Sequence, residues 1–310
     1  MTLALLHPTP ENPLPPGAEA VELTTRDGKR LRAMRAVPEA ARGTFVILGG
    51  RGDFIERYFE TARDLMARGF AVVVLDMRGQ GGSQRHKRQP YRDRTRSFAG
   101  FDEDVRTLMD GLVIPSCPQP YLALGHSTGA HVLLRLLRDR PWFERAILVS
   151  PLVEIIYGPW PRPVAGLLVN AMWLMGLADS FLPGVRRTPM GRADFPGNPL
   201  TSDEARWNRD STTLELAPQL GLGGPTFGWL KAARRSIARL ARMTKKPQAP
   251  VLIVAAGADR VVGNEGIRRL ARRVPGVALT FIPNARHEIL GERDMIRRQF
   301  LAALDSFVPA

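Results

Sequence analysis

The sequence predicts an α/β fold with one long insertion, and three observations lead to this prediction. The chain has 310 residues, which suits one α/β domain with an insertion or two modest domains. Short apolar runs rich in Val, Ile and Leu alternate with helix-length segments, as in a parallel sheet that is covered on both faces. Residues 151–250 contain no clear core strand, and a loop of that length is improbable within a compact domain.

The first predicted element is an antiparallel hairpin at residues 18–37, where apolar positions alternate on both sides of a turn at Arg26-Asp27-Gly28. The strands that follow are predicted from short continuous apolar runs at 44–50, 71–77, 121–125, 146–150, 251–257 and 278–283. Helices are predicted between them at 54–68, 98–112, 128–139, 264–273 and 293–306. The interval 151–250 breaks this alternation, and we interpret it as an inserted, mainly helical subdomain.

Composition excludes several classes of protein. Hydrophobic residues make up 44% of the chain and charged residues 24%, as in soluble globular proteins. The most apolar stretch, 163–178, is shorter than the roughly 20 residues that a membrane-spanning helix needs. Residues 1–17 lack the basic region that begins a signal peptide, and we interpret them as a tail. The single cysteine, Cys117, excludes an intrachain disulfide and favours a reducing, cytoplasmic compartment.

The charge of the chain is strongly positive, at +14 for pH 7. Such an excess favours anionic partners, among them nucleic acid and phospholipid head groups. The basic residues are scattered without a recognised nucleic-acid-binding motif, so we expect no nucleic acid partner. One predicted helix, 229–246, is basic and amphipathic and would suit peripheral contact with the anionic inner face of a membrane. A solvated surface helix is the simpler interpretation of that segment.

Ser127 is the candidate nucleophile, in the pentapeptide Gly125-His126-Ser127-Thr128-Gly129. The pattern G-x-S-x-G carries a nucleophile when a strand precedes it and a helix follows, and both are predicted here. Small residues are needed two positions before and two after the serine, because the backbone turns sharply and a Cβ atom would clash at either position.

An acid and a base for this serine are predicted farther along the chain. A serine hydroxyl needs a base to become nucleophilic, and the base needs an acid to orient it. Asp259 follows the predicted strand 251–257, and His287 follows the predicted strand 278–283. Functional groups of open α/β sheets collect at the carboxyl ends of the strands, so we expect Ser127, Asp259 and His287 to converge.

Other acids and histidines are weaker candidates. Glu265 is the second choice for the acid, although it lies in a predicted helix, and Asp76 precedes the serine in the chain. We expect His126 to face away from the attack path and His131 to be packed or solvated on the helix. The remaining histidines lie in the tail and in a loop: His7 and His86.

The negative oxygen of a tetrahedral intermediate needs two N–H donors. One is expected from the residue after the nucleophile, Thr128, and the other from the glycine-rich loop after the strand 44–50, where Arg51 is the best candidate through its main chain. The same loop does not fit the pattern G-x-G-x-x-G, so a dinucleotide site is not expected.

With these residues the chain resembles the α/β-hydrolase superfamily, in particular the bacterial lysophospholipase and monoacylglycerol-lipase-like serine hydrolases. The segments that carry the resemblance are 49–83, 124–131, 195–210, 222–230, 257–262 and 284–290. It implies a mostly parallel eight-stranded sheet flanked by helices, with 18–150 and 251–310 as the core and 151–250 as a mainly helical cap. One departure is that many members have His-Gly where this chain has Gly49-Gly50.

Carried over residue by residue, the resemblance implies that Ser127 is the nucleophile, Asp259 the acid and His287 the base. The N–H groups of Arg51 and Thr128 would form the oxyanion hole. The implied reaction is hydrolysis of a single-chain lipid ester, a lysophospholipid or a monoacylglycerol, through an acyl-enzyme and without a metal or organic cofactor. Candidates to line an acyl channel in the cap, with ordinary packing as the equally simple alternative, are Met172, Trp173 and Met175.

Three alternatives stay open at the level of sequence. A serine peptidase or a small-ester esterase would use the same scaffold, because these residues do not distinguish an amide from an ester. Acidic residues lining the cap would favour the peptidase, and a long apolar tunnel would favour the lipase. A non-catalytic ligand-binding module with the same fold is the alternative from a different class.

Overall fold

The computed structural model describes residues 5–157 and 161–308. Its strands are β1 Glu19–Thr24, β2 Arg30–Ala36, β3 Thr44–Leu48, β4 Ala71–Asp76, β5 Tyr121–His126, β6 Arg145–Val149, β7 Val251–Ala256 and β8 Val277–Ile282. They form one sheet in the order β1-β2-β4-β3-β5-β6-β7-β8. β2 pairs antiparallel with β1 and β4, and all other neighbours are parallel. The predicted mostly parallel, eight-stranded sheet is confirmed.

The helices are α1 Phe59–Met66, α2 Ala99–Leu108, α3 Ile114–Ser116, α4 Thr128–Leu136, α5 Arg162–Leu174, α6 Glu204–Leu216, α7 Phe227–Leu240, α8 Asn264–Arg273 and α9 Asp294–Phe307. A π-helical segment, Met109–Val113, joins α2 to α3. Each predicted strand and helix is present, with ends that differ by a few residues. None of the helices in the described part of the chain has the length and apolarity that crossing a bilayer requires.

The central strands are buried on both faces, which explains their continuous apolar sequences. Every residue of β3, β4, β5 and β7 is buried. On one face the strands pack against α2, α4, α7 and α8, in one apolar cluster that includes Val46, Leu133 and Leu230. On the other face they pack against α1 and α9, and this second cluster includes Ile47 and Phe300. The sheet is therefore a rigid support for the loops at its carboxyl edge.

The chain between β6 and β7, which we call the insertion, forms α5, α6 and α7 in its described part. Arg206 and Arg209 of α6 both form ion pairs with Glu60 of α1. The apolar face of α7, including Leu230 and Ala233, belongs to the same buried cluster as α4. Both α6 and α7 are thus anchored on the core. The division of the chain into a core and a cap at 151–250 stays a prediction.

A buried histidine joins α4 to the insertion. His131 Nδ1 lies 2.6 Å from the carbonyl oxygen of Leu152, and its Nε2 lies 2.7 Å from Ser236 Oγ on α7. Burial lowers the pKa of His131 to about 3, and the nearby charge of Arg135 acts in the same direction. The ring is therefore neutral: Nδ1–H donates to Leu152, and Nε2 accepts from the hydroxyl of Ser236.

We expect this histidine to make folding sensitive to acid. The pKa of His131 in the folded protein, about 3, lies below its ordinary value of 6.5. The unfolded chain therefore binds the proton first, and stability is lost progressively as pH falls from 6.5 towards 3. Between pH 6.5 and 5 the loss amounts to roughly 2 kcal/mol. Chemical denaturation at several pH values measures it, and His131→Gln should reduce the slope in this window. An equal slope in the variant would contradict the prediction.

Candidate active site

Ser127 occupies the sharp turn between β5 and α4. Its backbone has φ 49° and ψ −107°, in a region that residues with a side chain rarely adopt. Hydrogen bonds on both sides hold this conformation: the N–H of Ser127 donates to Val149 O, and its carbonyl accepts from the N–H groups of His131 and Leu152. Strain of this kind persists only where the surrounding structure enforces it, and it is common at functional sites.

The glycines on either side of Ser127 are required by close packing. A Cβ atom on Gly129 would lie 2.1 Å from the carbonyl oxygen of Leu48, and one on Gly125 would lie 2.7 Å from Ala130 Cα. Both contacts are with main chain, which cannot move aside without disturbing the sheet or the helix. The G-x-S-x-G pattern therefore reflects the steric requirements of the turn.

We expect Gly129→Ala to lower the free energy of unfolding by about 1–3 kcal/mol or more, since overpacking a core typically costs that amount. Thermal or chemical denaturation measures the change. Gly111→Ala is a matched control, because a Cβ there would make only an ordinary contact of 3.5 Å, with Leu23. Since alanine favours a helix over glycine, the control should be neutral or slightly stabilising. Equal effects of the two substitutions would show that the close approach to Leu48 does not matter.

The structure brings the three predicted residues together at the carboxyl edge of the sheet. Ser127 Oγ lies 3.0 Å from His287 Nε2, and His287 Nδ1 lies 2.7 Å from Asp259 Oδ2. Asp259 follows β7 and His287 follows β8, and the side chains of Ser127 and His287 are both buried. The result is a continuous hydrogen-bonded chain from carboxylate to hydroxyl.

Asp259 is held in the ionised form that this chain needs. Burial opposes its ionisation, but the hydrogen bond from His287 and the N–H groups of Val261 and Val262 keep the pKa of Asp259 below its ordinary value. These two N–H groups bind Oδ1 at 2.8 and 2.9 Å. The ionised Oδ2 accepts Nδ1–H of His287, so the Nε2 lone pair faces Ser127. The second-choice acid, Glu265, is instead 3.8 Å from Arg269 on the surface of α8.

The glycine-rich loop after β3 lies beside this chain. The N–H of Gly50 donates to Asp53 Oδ2 at 2.6 Å, and the N–H of Gly52 donates to Gln80 Oε1 at 2.5 Å. The N–H groups on both sides of Arg51 thus have partners within the described residues, which leaves that of Arg51 as the candidate donor. Thr128 is the first residue of α4, at the positive end of the helix dipole. The oxyanion hole of Arg51 and Thr128 stays a prediction.

The sequence did not predict that the side chain of Arg51 would be anchored on the insertion. Its Nη2 donates to the carbonyl oxygens of Gly223 and Gly224 at 2.8 and 2.7 Å, and its Nε to Asp93 at 3.1 Å. The guanidinium also lies 5.2 Å from the centroid of the Trp229 ring. The loop that is predicted to stabilise the oxyanion is therefore tied to residues just before and within α7.

The sequence also did not predict a mostly buried ionic cluster next to the site. Arg57 forms ion pairs with Asp53 in the loop, with Glu288 beside the histidine of the site, and with Asp210 on α6. The one available signal was an acidic residue within an otherwise glycine-rich loop. His126 was not expected to be the base, and its ring contacts Asp53 and the main chain of His287 rather than the hydroxyl of Ser127.

The three predicted substrate-binding residues lie on α5 or at its end. Met172 packs against the core, and Met175 is 61% exposed. Trp173 lies between two cations, with Lys231 Nζ at 4.5 Å and Arg96 Cζ at 5.5 Å from its ring centroid. Within the described residues, its ring contacts go to these cations and not to the hydrogen-bonded chain of the site. A role of the three in binding substrate stays a prediction.

Comparisons with known proteins give the family. A family model described as serine aminopeptidase, S33, matches residues 39–294. The chain is 27% identical to the probable lysophospholipase L2 of Haemophilus influenzae over 274 residues, which cover 87% of this chain and 85% of that protein. It is 29% identical to the monoacylglycerol lipase of Mycolicibacterium smegmatis over 258 residues, 81% of this chain and 83% of that protein.

A solved structure agrees at the level of fold. A soluble variant of monoglyceride lipase from Saccharomyces cerevisiae, in complex with a substrate analog, matches with a TM-score of 0.69 and 18% identity over 94% of this chain and 95% of that chain. The resemblance inferred from the sequence is thereby confirmed. Because the family model spans well over half of the chain, the protein belongs to this family of α/β-hydrolases and is a hydrolytic enzyme.

Proposed function

We propose that the protein hydrolyses the carboxylic ester of single-chain lipids, lysophospholipids or monoacylglycerols, through an acyl-enzyme on Ser127. The observation that carries this proposal is the continuous chain of Ser127, His287 and Asp259, with distances of 3.0 and 2.7 Å. The relatives named lysophospholipase L2 and monoacylglycerol lipase support a lipid ester as the substrate.

Acylation begins with His287 as the general base. Its Nε2 takes the proton of Ser127 while Oγ attacks the ester carbonyl. The negative oxygen of the tetrahedral intermediate accepts hydrogen bonds from the N–H groups of Arg51 and Thr128. The His287 imidazolium, stabilised by ionised Asp259, then gives its proton to the leaving alcohol, and the acyl group stays on Oγ.

Deacylation repeats these steps with water. His287 takes a proton from a water molecule, whose oxygen attacks the acyl carbonyl. Collapse of the second tetrahedral intermediate breaks the bond to Ser127 Oγ, which regains its proton from His287, and the fatty acid leaves. Asp259 keeps the imidazole in one tautomer throughout, so that Nε2 always faces the reacting atoms.

The charges around the site support an ester rather than a peptide with a free amino terminus. A substrate ammonium group would need an available carboxylate, but Asp53 and Glu288 are paired with Arg57. Likewise, Asp93 is paired with Arg51. Taking Asp93 away would leave the mostly buried Arg51 without its carboxylate partner, and taking Asp53 or Glu288 away would break one of the ion pairs of Arg57, so either change is costly.

We also propose that the protein contacts anionic membranes through α5. The exposed apolar residues of this helix and its C-terminal end lie at i, i+3, i+4, i+10 and i+11, a spacing that places them on one side of a helix as a stripe: Val164, Leu167, Leu168, Leu174 and Met175. Leu167 is 73% exposed and Leu174 is 82% exposed, an unusual arrangement unless another surface covers them. Cations lie against the same helix, since Arg96 and Lys231 both contact the ring of Trp173 on α5. An apolar stripe with adjacent cations is the pattern of an interfacial helix.

The helix proposed here to contact the membrane, α5, is not the one that the sequence suggested. The basic helix predicted at 229–246 forms α7, but its apolar residues Trp229, Leu230 and Ala233 are buried against the core. They are therefore not available to a membrane, which favours the simpler interpretation of α7 as a surface helix.

A substrate screen tests the proposed reaction. The purified protein is assayed with lysophosphatidylcholine, monoacylglycerols of several chain lengths, short p-nitrophenyl esters and aminoacyl anilides, with Ser127→Ala as the blank. We expect hydrolysis of the first two classes and covalent labelling of Ser127 by a fluorophosphonate. Hydrolysis confined to anilides would favour the peptidase, and failure to label Ser127 in folded protein would favour a non-catalytic module.

Co-sedimentation with lipid vesicles tests the membrane contact. We expect binding to phosphatidylglycerol vesicles that weakens with salt, and little binding to phosphatidylcholine. Leu167→Ser combined with Leu174→Ser should abolish it. Met295→Ser is the matched control, because Met295 on α9 is similarly exposed, at 67%, but lies on another helix. Equal loss in the control, or none in the double variant, would contradict the role of α5.

A further inference from the structure

His126, directly before Ser127, makes two contacts that fix its protonation. It is the last residue of β5 and is only 5% exposed. Its Nδ1 lies 3.1 Å from Asp53 Oδ2, and its Nε2 lies 3.3 Å from the main-chain oxygen of His287. The His126 and His287 ring centroids are 5.0 Å apart. One ring therefore spans the distance between the loop after β3 and the loop that carries the catalytic base.

Asp53 is an ionised carboxylate. Its Oδ2 accepts from the N–H of Gly50 at 2.6 Å and from the hydroxyl of Tyr58 at 2.7 Å, while Oδ1 pairs with Arg57. Burial opposes the charge, but Arg57 and His126 outweigh it and hold the pKa of Asp53 well below its ordinary value. With no proton of its own, this carboxylate only accepts hydrogen bonds.

The two partners of His126 require it to be a cation. A carboxylate and a main-chain carbonyl both accept, so both ring nitrogens of His126 must donate, and only the imidazolium has two N–H groups. Burial disfavours that charge, yet the hydrogen bond and charge of Asp53 raise the pKa of His126. Among the other charged groups that face the ring, Glu288 acts in the same direction as Asp53, and Arg57 opposes them.

We propose that His126 acts as a permanently charged positioning residue that fixes the base His287 relative to the oxyanion loop. On one side it holds the main chain of His287; on the other it binds Asp53, the carboxylate that also holds Gly50. This inference rests on the proposed function, because it takes Ser127 and His287 to be the nucleophile and base. It assigns a task to a residue that touches neither the substrate nor the reacting atoms.

The identity of residue 50 supports this arrangement independently. A Cβ atom on Gly50 would lie 2.8 Å from His126 Nδ1 and 3.0 Å from Asp53 Oδ2. Gly50 has an ordinary backbone conformation, with no positive φ, so the main chain itself does not require glycine there. The space beside Gly50 is needed for the ion pair of His126 and Asp53.

The decisive variant is His126→Gln, which is neutral and cannot donate at both ring-nitrogen positions. We expect kcat for a p-nitrophenyl ester to fall by about 10- to 100-fold, and the rate of fluorophosphonate labelling of Ser127 to fall equally. A loss of this size is expected when the base is displaced by up to about one ångström. KM should stay within about twofold, because only transition-state interactions are lost. Unchanged kcat and labelling in folded His126→Gln would overturn the proposal.

His131→Gln is the matched control. His131 is as deeply buried as His126 and is bonded on both nitrogens, but to Leu152 and Ser236 instead of the base. We expect the His131→Gln variant to be labelled, per folded molecule, at a rate within about twofold of the original protein, even if the variant is less stable. The reason is that residue 131 does not contact His287. If both variants lose labelling equally, the effect is a general one of burial, and the positioning role is refuted.

Two further measurements test the pairing and the charge. If Asp53 and His126 act as one unit, Asp53→Asn combined with His126→Gln should lose little more activity than the worse single variant, whereas additive losses would contradict the link. Ring ¹H–¹⁵N correlations at pH 7 should show His126 with two N–H groups and His131 with one. A neutral His126 would overturn the proposal. Because labelling needs no lipid, a protein that reacts with fluorophosphonate but hydrolyses no lipid ester would refute the proposed substrate and leave this test intact.

Discussion

Replacing Ser127 with alanine should lower kcat for ester hydrolysis by about a million-fold, the effect of removing the nucleophile of a serine hydrolase. The hydroxyl that His287 contacts at 3.0 Å is lost, and with it the formation of the acyl-enzyme. The residual rate should come from the oxyanion hole and substrate binding alone. Initial rates with a p-nitrophenyl ester and a lysophospholipid measure the effect, and fluorophosphonate labelling should disappear.

The control for this variant is Ser306→Ala. Ser306 lies on α9 and is exposed, and its hydroxyl donates to the main-chain oxygen of Ala302 in the same helix. Its activity and labelling should equal those of the unchanged protein. Substantial activity in Ser127→Ala would mean that another residue is the nucleophile, whichever substrate is used. Loss of activity in both variants would point to a fault in folding or assay.

Replacing Asp259 with asparagine should lower kcat by about ten-thousand-fold, although the shape of the site is kept. The side-chain amide introduced by this substitution would donate towards Nδ1 of His287, which favours the tautomer with the proton on Nε2. The proton would then face Ser127, and the imidazole could not act as a base. The measurement is kcat at pH values where the original enzyme is fully active, together with KM, which should change little.

Comparing this variant with a second one, Glu265→Gln, decides between the two candidate acids, Asp259 and Glu265. Glu265→Gln removes a surface carboxylate that contacts Arg269 at 3.8 Å, and it should leave kcat within about twofold. If Glu265→Gln were the damaging change and Asp259→Asn were not, the acid would be misassigned. We expect the opposite, because Asp259 binds His287 at 2.7 Å and is aligned by two main-chain N–H groups.

The insertion connects the predicted oxyanion hole to the rest of the molecule. Arg51 supplies a candidate N–H through its main chain, while its side chain is bound by Gly223 and Gly224 of the insertion. Arg57 joins the same loop to Asp210 on α6. Displacement of these inserted segments would therefore change the environment of the loop directly.

Much of the fold and the site could be predicted from the sequence because the responsible interactions are local. Continuous apolar runs identified the buried strands, since residues covered on both faces need no alternation. Gly125 and Gly129 marked the turn, because a Cβ atom at either position meets main chain only a few ångströms away. Asp259 and His287 could be chosen by their places after strands, because parallel strands bring their carboxyl ends to one edge.

What only the tertiary structure decided depends on contacts between distant parts of the chain. His126 contacts Asp53, 73 residues away, and His287, 161 residues away, and these contacts determine its charge. The burial of the helices in the insertion likewise depends on distant contacts that the sequence does not show. An amphipathic pattern shows which face is apolar but not what covers it, and packing buried the apolar face of α7 while leaving that of α5 exposed. The sequence alone determined the nucleophile, acid and base as candidates, whereas the assembled fold determined the charge state and support of the groups around them.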